Sequence, residues 1–105
     1  MPVDNLEVID ITSIDLNGNF ELTISDHLEW NDTEHLLILQ SKINNYLKVI
    51  ENENFLERFP NAENRNIVIN IIAKYKPDLN AQTFLDKVKN ILESAGYNFQ
   101  CTVLK

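Results

Sequence analysis

The side chains best suited to chemistry crowd into one short run of this sequence: Asp26, His27, Glu29, Asp32, Glu34 and His35. Imidazole and carboxylate groups can hold a divalent metal, or trade a proton as an acid and base pair. The spacing does not follow the familiar metal patterns. The histidines stand eight apart, and no His-x-x-x-His or His-Glu-x-x-His sequence puts two of them on one helical face. A structural assignment covers the same residues one by one. Asn31 and Glu34 have the spacing of a capping box, and Asp32 and Glu34 suit the positive start of a helix. Trp30 fits a staple packed on the first turn beside His35, and Asp26 is placed to accept from backbone amides in the turn.

Other reactive groups are sparse. Cys101 is the one cysteine, so no internal disulfide can form. It shares a register with Phe99 and Val103, where a thiol serves as a small apolar side chain; as a nucleophile it would need His27 or His35 beside it as base. Lys74-Tyr75-Lys76 pairs charge with an aromatic ring, but two bases at a strand end read as a solvated loop. The two glycines, Gly18 and Gly96, both fall at turn or cap positions. None remains for a phosphate-cradling loop, a dinucleotide fingerprint or a nucleophile elbow.

The elements that must position these groups follow from apolar spacing. Phe20, Leu22 and Ile24 alternate with Glu21, Thr23 and Ser25, the period of a strand with one buried face. Val8 to Ile14 reads as its partner, joined through Asp15-Leu16-Asn17-Gly18-Asn19, whose Asn-Gly pair suits a tight hairpin. A helix then begins near Asn31 and runs to about Glu51, with Leu36, Leu39, Ile43, Tyr46, Leu47 and Ile50 on one stripe and Ile38 and Val49 pointing away. The connection 52–64 carries Phe55, Leu56 and Phe59 and is expected to fold back over that second apolar spot. Ile67 to Ala73, nearly all apolar, reads as a central strand. Phe84, Leu85, Val88, Ile91, Leu92 and Ala95 form a second helical stripe, closed by Gly96. Tyr97, Phe99, Cys101 and Val103 alternate as a last strand. The order ββαβαβ implies an α+β domain over residues 1–105, a two-layer sandwich of a four-stranded mixed sheet with two helices on one face.

At 105 residues, 44% hydrophobic and 24% charged, the chain can bury an ordinary core. Its net charge of −7 is uneven. The first 41 residues hold nine acids and no Lys or Arg, whereas the remainder holds nine bases against seven acids, so the parts carry −9 and +2. Phosphate backbones would be repelled by the first part, which argues against nucleic acid. Residues 1–8 lack a basic start and an apolar run, and no stretch is apolar for the roughly 18 residues that a membrane span needs. A cytoplasmic protein is expected, monomeric or homodimeric.

The run Leu22-Thr23-Ile24-Ser25-Asp26-His27-Leu28-Glu29-Trp30, with His35-Leu36-Leu37, Gln40 to Leu47 and Ile67 to Pro77, resembles a family of small bacterial proteins known as a domain of unknown function. The resemblance covers most of the chain and implies a bacterial source, without assigning catalytic or binding residues. The reading that follows is a non-catalytic protein-interaction module with a basic partner, in the manner of an immunity protein. Its candidate binding residues are Asp26, His27, Glu29, Trp30, Asp32 and His35; no catalytic or metal-holding residue and no cofactor is assigned. The alternative is a metal-dependent enzyme or ligand binder that uses the Asp26 to His35 cluster.

Overall fold

Alternating and fully apolar segments order the strands of one sheet. The structure, a computed structural model, describes residues 11–30 and 33–104, with Thr33 described by its backbone alone. Strand β1 (Ile11–Ile14) pairs antiparallel with β2 (Phe20–Asp26); β3 (Ile67–Ala73) pairs parallel with β2, and β4 (Asn98–Val103) parallel with β3. The spatial order is β1-β2-β3-β4, a mixed four-stranded sheet. Residues 8–10 of the expected first strand lie outside the described residues.

The hairpin closes through a longer loop than a two-residue turn. Gly18 alone takes a positive φ, +83°, and donates to the Asp15 carbonyl. Asp15 Oδ1 accepts the amides of Asn17 and Asn19 at 2.9 and 2.8 Å. Because Asn17 stays at negative φ, the Asn-Gly pair does not form the doubly left-handed turn its types allow; the loop has one left-handed residue, held by the Asp15 carboxylate. Arg65 then ties this loop to the connection before β3, donating to the carbonyls of Gly18 and Asn61.

Helix α1 (Thr33–Ile50) and helix α3 (Leu79–Ser94) bridge the parallel strands, with a four-residue helix α2 (Phe55–Arg58) and a 3-10 turn, Pro60–Ala62, between α1 and β3. Both crossovers move in the same direction across the sheet, which for right-handed connections sets α1 and α3 on one face. They share a groove lined from both sides, by Ile43 and Leu47 of α1 and by Phe84, Val88 and Ile91 of α3. The expected α+β sandwich is therefore the fold observed.

The face under the helices carries Phe20, Leu22, Ile24, Ile67, Ile69, Ile71 and Phe99, all buried in one cluster with Leu39, Ile43, Tyr46, Leu85 and Leu92. Three spots depart from the expected stripes. Ile38 and Val49 are half-buried and pack partly against the core, so they do not form a separate apolar patch. The connection lies beside Val49, sharing a depression with it through Asn52, Asn54, Phe55 and Arg58, and in addition sets Phe55 and Phe59 against Phe20, with ring centroids 6.0 and 5.9 Å away. On α3, Ile91 is 65% exposed and Ala95 is exposed as well. Ile91 falls beside the groove that separates the helices, while Ala81, Leu85 and Leu92 make the contact with the sheet.

Caps stop α3 at both ends. Asp78 Oδ1 accepts the Ala81 amide at 2.8 Å, and Gly96 at φ +92° lets Tyr97 N–H return to the Leu92 carbonyl at 2.9 Å.

Candidate functional site

The carboxyl ends of β2 and β3 hold the densest polar cluster. Asp26 is the last residue of β2, and its carbonyl accepts the Lys74 amide at 2.8 Å, so that end of the strand is tied to β3. Its side chain folds back into the protein. Oδ1 accepts the Leu28 amide at 3.1 Å, and Oδ2 lies 2.6 Å from His35 Nε2. Asp26 is 1% exposed and His35 2%.

His35 sits in the first turns of α1, on the stripe facing the sheet. Its Nδ1 lies 2.9 Å from the Glu29 carbonyl. A carbonyl can only accept, so Nδ1 carries a hydrogen, and a second proton lies between Nε2 and Oδ2. Trp30 covers the ring, stacked at 4.2 Å between centroids and 29° between planes. Its indole Nε1–H donates to the Tyr75 carbonyl at 2.8 Å. Three segments are thus joined at one point: the end of β2, the start of α1 and the loop after β3.

Of the six residues singled out from the sequence, Asp26, Trp30 and His35 come together. The side chains of His27 and Glu29 are exposed, and Glu29 contributes its backbone carbonyl instead. Asp32 lies outside the described residues, as does Asn31, and with it the expected capping box to Glu34. Among the described residues no group of three or more His, Cys, Asp and Glu side chains is placed to hold a metal ion. An acid–base role would need an imidazole nitrogen turned toward a substrate, and both nitrogens of His35 face groups of its own chain.

Cys101 is half-buried on β4. Burial, and secondarily the negative charge of Asp26, push its thiol up to about 11. A nucleophilic thiolate is disfavoured in that setting.

Lys42 escaped the sequence reading. It is 0% exposed, with Nζ 5.4 Å from the centroid of the Tyr46 ring, while Tyr46 Oη–H donates to the Thr23 carbonyl at 3.2 Å. The signal was there. Lys42 stands seven residues after His35, within about 20° of it on the helical wheel, and so belongs to the buried stripe. A cationic side chain at a stripe position is ordinarily discounted because its burial depends on partners that no local pattern reveals.

Among the described residues no helix is long and apolar enough to cross a membrane. No curated protein and no solved structure gives a significant match to the chain. The model of a family of unknown function, DUF6572, matches residues 1–105 in full, and the chain belongs to that family.

Proposed function

We propose that this chain is a non-catalytic protein-interaction module whose partner is a basic protein, an arrangement like that of immunity proteins and basic toxins. The observation that carries the reading is the closure of the Asp26–His35–Trp30 cluster: both carboxylate oxygens, both imidazole nitrogens and the indole N–H are engaged within the chain. Chemistry by Asp26 or His35 on a substrate would require breaking those bonds. What the same end of the molecule offers to a partner is charge. Glu29 and Glu34 are exposed there, within a stretch of nine acids that precedes the first base of the sequence. Such a field speeds the approach of a positive partner and weakens with salt.

Capture of partners from a lysate of the source organism, at low and at moderate salt, tests this. The expected result is a basic protein whose retention falls as salt rises, and falls further with Glu29→Lys, Glu34→Lys. Recovery of no specific protein at either salt would reject the reading.

A further inference from the structure

We propose that two copies of this chain join through the outer edge of β4, antiparallel across a two-fold axis, so that the four-stranded sheet continues as one of eight strands. This goes beyond the binding of a basic partner at the acids that follow β2 and involves the β4 edge of the sheet.

Among the described residues no strand pairs with the outer side of β4. Leu104 N–H donates to the Ala73 carbonyl on β3. Backbone groups alternate in direction along a strand, so the amides and carbonyls of Phe99, Cys101 and Val103 point outward. Edge strands are normally blunted by charge, proline or a bulge. Asn98–Val103 contains no charged residue and no proline, and its register with β3 runs unbroken from Asn98 to Val103. Beside it lies an open depression between α3 and β4, lined by Leu85, Asp86, Lys89, Phe99 and Cys101 among others.

Charge selects which edge and which occupant. Strands β1 and β2 belong to the part carrying −9, and β3, α3 and β4 to the part carrying +2. Pairing through β1 would press two acidic halves together, whereas pairing through β4 leaves them at the far ends of the assembly. The depression also carries one acid and one base, Asp86 and Lys89, and a two-fold axis lets each face the other's opposite in the second copy. With Cys101 on the axis, Phe99 stands opposite Val103 and Gln100 opposite Thr102 of the second copy. That register uses every outward backbone group of the strand.

Sedimentation equilibrium of the full chain is expected to show the two-chain mass. Gln100 and Thr102 are exposed, so Gln100→Lys, Thr102→Lys retains the fold, checked by circular dichroism, while setting lysines directly opposite each other; the dimer dissociation constant rises about tenfold or more. Mixing this variant with Gln100→Glu, Thr102→Glu restores a mixed dimer. Hydrogen exchange of the unaltered chain gives a readout free of substitution: the Phe99, Cys101 and Val103 amides are protected at high concentration and lose protection on dilution. A monomer at every concentration up to about 1 mM overturns the proposal. So does a dimer indifferent to the lysine pair, a dimer lost instead through Ile91→Glu in the groove between the helices, or rapid exchange of those three amides in the dimer.

Discussion

Oδ2 of Asp26 and Nε2 of His35 lie 2.6 Å apart, with both side chains almost sealed from water. The pair joins the last residue of a strand to the first turns of a helix. Breaking it from one side strands a polar group in the interior. His35→Ala is expected to destabilise the fold by about 3–5 kcal/mol, read from the urea unfolding midpoint. Removing both partners, Asp26→Leu with His35→Leu, costs less than the sum of the single changes, and strict additivity would show the two side chains to be uncoupled.

Trp30 supports the pair in two ways, by stacking on His35 and by donating to Tyr75. Trp30→Phe keeps the stack and leaves the Tyr75 carbonyl without its donor. A loss of about 1–2 kcal/mol in urea unfolding is expected. An unchanged midpoint would mean that the hydrogen bond adds nothing.

Because the Asp26 and His35 bonding groups are engaged within the chain, divalent zinc, manganese and nickel are expected to leave the melting temperature unchanged, a ligand being able to stabilise only the state that binds it. A rise abolished by His27→Ala, His35→Ala would instead establish a metal site in this segment.

Cys101 has a raised ionisation, about 11 against an ordinary 9.0. The folded chain therefore keeps its thiol proton where the unfolded chain has lost it. Stability attributable to this residue falls as pH rises between about 9 and 11, and a Cys101→Ala variant lacks that fall. Alkylation by iodoacetamide at pH 8 is expected to be slow in the native chain and fast in urea; equal rates would contradict the burial of the thiol.

The Asp15 carboxyl is held below its ordinary value of 3.8, chiefly by the backbone amide of Asn19 and further by that residue's side chain and the amide of Asn17. Its contribution to the hairpin is present above the unfolded value and is lost as pH falls through the lower folded one. Asp15→Ala is expected to lower the melting temperature at pH 7 and to leave it nearly unchanged at the acid end, where the wild type has also lost the charge.

How far the sequence by itself determined this protein is clearest in its periodic segments. The alternation Phe20, Leu22, Ile24, the apolar run Ile67–Ala73 and the cap at Gly96 specify elements because each depends only on neighbours along the chain: a face repeats every second or every 3.6 residues wherever the segment ends up. From those elements the layer arrangement followed, since crossovers have one hand. The candidate cluster was legible as a composition, and the stacking of Trp30 near His35 could be anticipated from a staple five residues away.

Tertiary structure decided the rest. The strand order, the approach of Trp30 to Tyr75 across 45 residues, the gathering of Phe55 and Phe59 on Phe20 and the burial of Lys42 all depend on which surfaces cover one another. So does the separation of His35, sealed against Asp26, from His27, left in water. A buried polar side chain is tolerated only where distant segments supply its partners, and no spacing along the chain records whether they arrive.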